Sequence, residues 1–208
     1  MFRDRTDAGG QLAAELKGRV PEDALVLGVP RGGVVVAAEV ARELGLELDL
    51  VVVRKIGAPG NPEYAIAAVD EDGNVISGDS AYADEEYLRR AAEAGRAEIA
   101  RRLRAYRGDR PAARIAGRVV VVVDDGIATG RTLLAAVASL RRRGAARIVV
   151  AAPVAAIAAA RDIGRVADEV IVLDKPPDFY AVGQFYHYFD QTSDAEVIER
   201  LREAWDER

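Results

Sequence analysis

Two adjacent acids, Asp124 and Asp125, directly follow a run of five valines at residues 119–123. Such a β-branched run predicts a strand that is buried on both faces, as in parallel sheets. Open α/β sheets bind ligands at the carboxyl ends of their strands, and carboxylates suit sugar hydroxyls or a divalent cation. The acids also have a structural alternative, since they could simply cap the helix that follows.

A short loop of small and hydroxylated residues separates the acids from a predicted helix. The loop contains Gly126, Ala128, Thr129, Gly130, Arg131 and Thr132. Backbone N–H groups and the positive end of a helix dipole favour a phosphate at such a turn. The threonine hydroxyls and the arginine would add donors and positive charge. The acids and the loop together predict a site for a phosphorylated sugar.

Two further turns carry basic residues, Arg31 with Gly32 and Gly33, and Arg54 with Lys55. Each turn follows a predicted strand, over residues 24–29 and 48–53. The glycine pair lets the backbone approach a ligand closely. Residues 56–65 contain two glycines and two prolines, so we predict no regular element there. A loop of this length beside the expected site is predicted to be functional.

Strands and helices alternate along the chain. We predict strands over residues 24–29, 48–53, 119–123, 147–153 and 169–173, a hairpin over 66–69 and 74–76, and helices over 9–18, 34–44, 84–106, 130–143, 155–163 and 195–205. The alternation predicts an α/β fold with a parallel sheet of about five strands flanked by helices. We expect one domain over residues 1–208, with a small C-terminal hood made of residues 174–208 and the N-terminal segment.

The composition excludes several classes of function. The chain has 208 residues, no cysteine and a formal net charge of -5. Without cysteine, neither disulfides nor thiolate metal sites can form. The negative charge disfavours a general nucleic-acid binder, and neither a membrane span nor a signal peptide is visible. We therefore expect a cytoplasmic protein with no nucleic-acid or membrane partner, and we expect a homo-oligomer.

The run from Asp124 to Thr132 resembles the motif for phosphoribosyl diphosphate (PRPP) of the type I phosphoribosyltransferases. The resemblance covers nearly the whole chain and implies the fold of that family. It implies that Asp124 and Asp125 hold the ribose hydroxyls of PRPP, and that residues 128–132 grip its 5′-phosphate.

The resemblance also gives roles to the two basic turns. Arg31 and the N–H groups of Gly32 and Gly33 would hold the diphosphate, in a loop that often contains a non-proline cis peptide. Arg54 and Lys55 would begin a mobile catalytic loop that closes over the substrate and places basic groups on the leaving group.

The implied reaction transfers the ribose 5-phosphate of PRPP to a nitrogenous base, which we expect to be purine-like, and releases pyrophosphate. Breaking the bond to the diphosphate builds negative charge on the leaving group. Arg31, Lys55 and Mg²⁺, with Asp124 and Asp125 as the expected metal ligands, would stabilise that charge. A closing loop would exclude water, which is a competing nucleophile.

The acceptor base stays open, because the sequence matches two subgroups of the family. Ala128 and the Glu-Tyr pair beginning at Glu63 resemble the adenine enzymes, so Glu63 is a candidate proton donor or else a plain surface residue. Residues 177–183 instead resemble the base-stacking stretch of the 6-oxopurine enzymes. That match assigns Tyr180 and Val182 to base binding.

The single histidine, His187, excludes a histidine-based metal cluster. It could stand near the metal, where the 6-oxopurine enzymes have an aspartate, or be a polar residue among aromatic ones. The aromatic residues around it could cover the end of the sheet as core, or form a stacking lid for a planar base.

Two other classes of function stay open. The first is a non-catalytic PRPP-sensing regulatory protein, which a salt-dependent interaction with RNA or DNA would favour. The second is a related nucleotide or phosphosugar hydrolase, which would release a free base from a nucleotide without pyrophosphate.

Overall fold

The computed structural model of the protein describes residues 1–77 and 83–206, without the side chains of Pro62, Glu63 and Ser77. The strands are β1 (Leu25–Gly28), β2 (Glu47–Leu50), β3 (Arg54–Ala58), β4 (Asn61–Val69), β5 (Val75–Ser77), β6 (Val119–Val123), β7 (Arg147–Val154) and β8 (Glu169–Asp174). The helices are α1 (Arg5–Leu16), α2 (Gly32–Leu44), α3 (Glu85–Arg107), α4 (Arg131–Arg142), α5 (Ile157–Ile163) and α6 (Asp194–Asp206). Among these described helices, none combines the length and apolarity that crossing a bilayer requires.

Five strands form a parallel sheet in the order β2-β1-β6-β7-β8, which confirms the predicted fold class. At the carboxyl end of β6, Val123 is in register with Gly28 of β1 on one side and Ala151 of β7 on the other. Because these strands are parallel, the segments that follow them emerge at the same edge of the sheet. The fold therefore brings the acids after β6 beside the glycine pair after β1.

Helices cover both faces of this sheet, which explains the valine run of β6. Val121 and Val123 point into a core shared with α1, α2 and α6. Val120 and Val122 point into a core shared with α4 and α5. All four side chains are fully buried, because successive residues of a strand face opposite sides. Packing on both faces fixes β6 and therefore the acids at its end.

A second sheet shows that the prediction for residues 56–65 was wrong. In place of an irregular loop, β3, β4 and β5 form an antiparallel sheet in that order. The turn between β3 and β4 contains Gly60, whose φ is 75°, and the β3–β4 pairing accommodates register shifts on both sides of Gly57. Composition alone does not separate such a bulged hairpin from a loop. The hairpin predicted over 66–69 and 74–76 is confirmed as β4 and β5.

The turn between β4 and β5 is anchored on α4. The buried carboxylate of Asp70 accepts hydrogen bonds from the backbone N–H of Asn74 at 2.8 Å and from the Ser139 hydroxyl at 2.9 Å. The same carboxylate forms an ion pair with Arg142. The basic end of α4 therefore fixes one end of the second sheet.

The first residues of the chain pair with the C-terminal aromatic segment. Phe2 forms a parallel bridge with Tyr186, and its N–H donates to the carbonyl of Phe185 at 2.8 Å. The rings of Phe2 and Tyr186 lie 5.4 Å apart, and both residues are buried. Together with Val154 at the end of β7, they form a small apolar cluster of their own. The first residues and the aromatic segment thus meet at the carboxyl edge of the parallel sheet.

Candidate active site

The acid pair lies directly after β6, as predicted. Asp124 is partly buried, and its Oδ1 accepts a hydrogen bond from the backbone N–H of Asp125 at 2.9 Å. The backbone N–H of Asp124 donates to the carbonyl of Ala151 at 3.3 Å. These contacts fix the first acid at the end of the sheet. The second acid contacts a different element, α1.

Arg5 holds the second acid in place. Its Nε donates to Oδ2 of Asp125 at 2.8 Å, and its Nη1 donates to the carbonyl of Asp190 at 2.8 Å. The guanidinium carbon lies 4.0 Å from the centre of the Phe189 ring. The side chains of Arg5 and Asp125 are only 12% and 16% exposed. Arg5 is not predictable from the sequence, because the contact joins residues 120 positions apart and no local pattern marks it.

Two residues of the C-terminal segment close over the acids. The hydroxyl of Tyr186 donates to the backbone carbonyl of Asp125 at 2.6 Å. Burial and the charge of Asp125 raise the pKa of Tyr186 well above its ordinary value, so the group stays a neutral donor. Val182 packs on Gly126, where a Cβ would come within 2.3 Å of its Cγ1. Close packing therefore requires glycine at position 126.

The glycine pair after β1 packs against both acids. A Cβ at Gly32 would come within 1.9 Å of Oδ2 of Asp125, and a Cβ at Gly33 within 2.9 Å of the Cα of Asp124. The peptide bond between Pro30 and Arg31 is cis, the feature that the family resemblance implied for this turn. The predicted diphosphate loop and the acid pair therefore form one continuous wall.

The side chain of Arg31 reaches towards α6. Its Nη1 lies 3.9 Å from Oδ1 of Asp194, and this oxygen also accepts a hydrogen bond from the Tyr106 hydroxyl at 2.7 Å. The Arg31 side chain is 37% exposed. Its charge is thus partly balanced by Asp194 and partly open to solvent, so an anion at the glycine pair would compete with Asp194 for it.

The predicted phosphate loop encloses a cavity of about 170 Å³ at the beginning of α4. The cavity is lined by Asp124, Gly126, Ile127, Ala128, Thr129, Gly130, Arg131, Thr132 and Leu133. Gly130 caps α4 with a left-handed φ of 68°, and Ile127 is fastened to β7 by a hydrogen bond to the carbonyl of Val154 at 2.9 Å. The cavity therefore combines a helix N-terminus with the first acid, as a bound sugar phosphate requires.

Arg131 connects this loop to the second sheet. Its Nη1 donates to the carbonyl of Ala65 at 2.7 Å, and its guanidinium carbon lies 5.1 Å from the centre of the Tyr64 ring. A neighbouring cavity of about 170 Å³ is lined by both Arg131 and Lys55. The structure thus places Lys55 beside the phosphate loop, with Arg131 between the two cavities.

The other two predicted residues of the catalytic loop lie in β3 and β4. Arg54 is exposed, and its Cδ lies 3.8 Å from the position of a Cβ at Gly95, so the side chain runs along α3. Glu63 belongs to the backbone of β4, but its side chain is outside the described part of the chain. Its predicted role as a proton donor stays a prediction.

The first acid of the pair has a raised pKa. Burial, reinforced by the negative charge of Asp125, raises the pKa of Asp124 well above its ordinary value, and Arg5 opposes this only in part. A cation or hydroxyl donors beside the pair would favour the ionised form. Binding of a cation or of hydroxyl donors would therefore stabilise the ionised acid pair.

The C-terminal aromatic residues divide between core and surface. The side chains that pack together are those of Phe179, Phe185, Tyr186 and Phe189, with ring centres 5.3 Å apart for Phe179–Phe185 and 4.9 Å for Tyr186–Phe189. Tyr180 is 86% exposed and lies two residues before Val182. His187 is exposed, and its backbone N–H donates to the carbonyl of Phe2. The packed rings thus agree with the interpretation as core, and the stacking lid stays a prediction for which Tyr180 is sufficiently exposed.

The acid pair suits a metal ion that is shared with a substrate. The described residues contain no group of three or more His, Cys, Asp or Glu side chains that could hold a metal by themselves. Mg²⁺ commonly takes one or two carboxylates and completes its shell with water and substrate phosphates. Asp124 and Asp125 fit that donor set, although Arg5 occupies one oxygen of Asp125.

The fold and this site define one family. Residues 5–190 match the family described as "Phosphoribosyl transferase domain". The chain therefore belongs to the phosphoribosyl transferase family, which confirms the resemblance seen in the sequence.

Individual relatives agree with this assignment. The crystal structure of TT1426 from Thermus thermophilus is similar with a TM-score of 0.88 and 46% identity, covering 97% of this chain and 98% of that one. Two Mycobacterium tuberculosis proteins, each named "Putative phosphoribosyl transferase", are 42% identical over 98% of this chain and 47% of their own length. The chain thus spans about half the length of these curated relatives.

Proposed function

We propose that the protein is a Mg²⁺-dependent phosphoribosyltransferase that transfers the ribose 5-phosphate of PRPP to a nitrogenous, purine-like base and releases pyrophosphate. One observation carries the proposal: the glycine pair, the acid pair and the phosphate loop form one wall. Gly32 lies so close to Asp125 that a Cβ would come within 1.9 Å of its Oδ2. Membership of the family supports the same class of reaction.

The sugar end of PRPP is assigned to the acids and the phosphate loop. The carboxylates of Asp124 and Asp125 accept hydrogen bonds from the ribose hydroxyls, which relieves the repulsion between the two acids. Arg5 and Tyr186 hold Asp125 in position for this contact. The 5′-phosphate binds in the cavity at the beginning of α4, where Thr129 and Thr132 add hydroxyl donors.

The diphosphate end is assigned to the turn after β1 and to the second sheet. The N–H groups of Gly32 and Gly33 at the beginning of α2 face the leaving group. Arg31 exchanges its partial contact with Asp194 for the diphosphate. Lys55, in β3, supplies further positive charge as the bond to the sugar breaks. Arg54 precedes it in the same strand, and its side chain would have to leave α3 to do the same.

Asp124 and Asp125 would hold Mg²⁺ together with oxygens of PRPP. The ion, when bound, neutralises the negative charge that develops on the leaving pyrophosphate.

We assign binding of the acceptor base to residues 180–182, which include the side chain that packs on Gly126. Val182 packs directly on this glycine, and the exposed ring of Tyr180 is available for stacking on a planar base. Ala128 is exposed in the phosphate loop. The adenine-like and oxopurine-like features of the sequence both fit a purine-like base.

Several expectations from the sequence stay predictions. They are the single domain with a C-terminal hood, the homo-oligomer, the cytoplasmic location, the absence of a nucleic-acid partner and the role of Glu63.

The proposal is tested by measuring pyrophosphate released from PRPP and Mg²⁺ in the presence of a pool of purines, pyrimidines and their analogues. We expect release that depends on the pool, and splitting the pool identifies the acceptor. PRPP binding without turnover of any base would instead favour the PRPP-sensing protein. Free base formed from a nucleotide without pyrophosphate would favour the hydrolase.

The site itself is tested with the double variant Asp124→Asn plus Asp125→Asn. We expect loss of PRPP binding in calorimetry with an unchanged circular dichroism spectrum. The matched control is Glu85→Gln plus Glu86→Gln, an exposed adjacent acid pair at the beginning of α3. Unchanged PRPP affinity in the Asp124/Asp125 variant would contradict the site assignment.

A further inference from the structure

Arg131 occupies an unusual position between two functional elements. It is the first residue of α4, directly after Gly130, and lines the cavity of the predicted phosphate loop. Its side chain nevertheless leaves the loop and donates from Nη1 to the carbonyl of Ala65 on β4 at 2.7 Å. The guanidinium carbon lies 5.1 Å from the Tyr64 ring centre, within the range of a cation–π contact.

The carbonyl of Ala65 lies in an irregular part of the β3–β4 hairpin. Ile56 is in register with Ala67, but the next residue, Gly57, is in register with Ala65, so Ile66 of β4 is skipped. A described contact from α3 secures the same place, because the hydroxyl of Tyr87 donates to the carbonyl of Gly57 at 2.8 Å. Side chains from α3 and α4 thus hold the bulged part of the hairpin from two directions.

The same hairpin carries Lys55. This lysine is in register with Ala68, and it lines a cavity together with Ala65 and Arg131. Arg131 therefore lies in the wall between the cavity of the phosphate loop and the cavity of the lysine. A shift of its guanidinium would change the shape of both cavities.

Resting on the proposed function, we propose that Arg131 is a positioning residue that couples occupancy of the phosphate loop to the placement of the β3–β4 hairpin and of Lys55. A guanidinium has five N–H donors in a fixed plane. One of them bonds Ala65, and others can reach an oxygen of a phosphate in the adjoining cavity. A bound phosphate then fixes the guanidinium, and the guanidinium fixes the hairpin.

This coupling is tested by amide hydrogen exchange of residues 54–69 with and without saturating ribose 5-phosphate, which carries the phosphate but no diphosphate. In the unmodified protein we expect the ligand to slow exchange by about fivefold, the factor that corresponds to one net hydrogen bond. In Arg131→Ala, saturated with the same ligand, we expect no slowing. Arg131→Gln, which keeps most of the side-chain volume, serves if the alanine variant is unstable. Arg141→Ala is the matched control, because Arg141 also lies on α4 but pairs with Asp168.

The outcomes separate this inference from the proposed function. If ribose 5-phosphate binds and Arg131→Ala responds like the unmodified protein, the coupling is wrong and the site stands. The same holds if the ligand binds and the unmodified protein shows no slowing. If ribose 5-phosphate does not bind the unmodified protein at all, both the phosphate site and the coupling are wrong.

Steady-state kinetics provide a second test, because the loss in kcat from replacing a merely structural residue would be independent of Lys55. If Arg131 acts through Lys55, the losses in kcat caused by Arg131→Ala and Lys55→Ala are not additive in the double variant. Each single change should lower kcat more than it raises KM for PRPP. Additive losses would overturn the coupling.

Discussion

At the scale of single residues, the site depends on a side chain that no motif contains. Arg5 joins the carboxylate of Asp125, the carbonyl of Asp190 and the ring of Phe189 in one nearly buried contact. Charge-assisted hydrogen bonds of this kind are short and directional. Arg5 therefore orients one oxygen of Asp125.

We predict that Arg5→Ala weakens PRPP binding by about tenfold or more, because a hydrogen bond to a charged group is worth about 1.5–3 kcal/mol. Titration calorimetry with PRPP and Mg²⁺ measures the effect. Arg3→Ala is the control, since the Arg3 side chain is 66% exposed and pairs with Asp4. Equal affinity in Arg5→Ala and the unmodified protein would show that Asp125 needs no such support.

At the scale of elements, the second sheet is attached to α4 through the turn after β4. Asp70 is almost fully buried and accepts hydrogen bonds from Asn74, Ser139 and Arg142. Burial by itself would raise the pKa of Asp70, but these hydrogen bonds outweigh it and lower the pKa below the ordinary value. The carboxylate thus stabilises the folded state in its ionised form.

We predict that Asp70→Asn destabilises the protein by about 1–3 kcal/mol at pH 7, the cost of disturbing a buried hydrogen-bonded group. Because the folded-state pKa is lowered, the benefit of Asp70 is present above the ordinary aspartate pKa and is lost as the pH falls through the folded value. Urea unfolding at several pH values should show the difference between variant and unmodified protein shrinking on acidification. A difference that stays constant with pH would contradict this account.

At the scale of the whole molecule, a buried network joins the parallel sheet, α3 and the second sheet. Nε of Arg107 donates to Asp49 at 2.9 Å, and its Nη1 donates to Glu71 at 3.0 Å. The exposed fractions of these side chains are 8% for Arg107 and 5% for each acid. The carboxylates also accept backbone N–H groups of Leu50 and Val52. One arginine thus holds β2 and the hairpin turn together.

We predict that Arg107→Met lowers the free energy of unfolding by about 3–5 kcal/mol, because it leaves the buried carboxylate of Asp49 without its ion-pair partner and leaves Glu71 with only the longer contact to Arg143 at 3.7 Å. Chemical denaturation followed by circular dichroism measures the loss. Arg104→Met, on the exposed side of the same helix, should change the free energy by less than about 0.5 kcal/mol. A comparable loss in both variants would mean that helix propensity, and not the network, is responsible.

The sequence predicts the parallel sheet and the two loops at its edge because their signals are local. The valine run, the acid pair and the Thr-Gly-Arg-Thr turn are each contained within a few residues. Because parallel strands are neighbours in the sheet, the loops that follow them lie at the same edge. The β3–β4 hairpin was not predictable in the same way, because Gly57 and Gly60 give the same composition to a bulged hairpin and to a loop.

Hydrogen-bond partners that lie far apart in the sequence could not be predicted, for a different reason. The contact of Arg5 with Asp125 and the position of Arg131 against Ala65 depend on how separate elements pack, since they span 120 and 66 residues. No short window of sequence contains both partners. Tyr186 belongs to an aromatic run, and nothing local in the sequence indicates its hydrogen bond to the carbonyl of Asp125.

The bond between Tyr186 and the carbonyl of Asp125 also sets an order of events during synthesis. All five strands of the parallel sheet precede Lys175 in the chain, so they leave the ribosome before the segment that carries Tyr186 and Phe189. The acids, however, receive the tyrosine hydroxyl and the ring of Phe189 only after the segment that carries both has emerged. A chain released after Lys175 would contain the five strands and Arg5 but would lack the segment that closes over the acids.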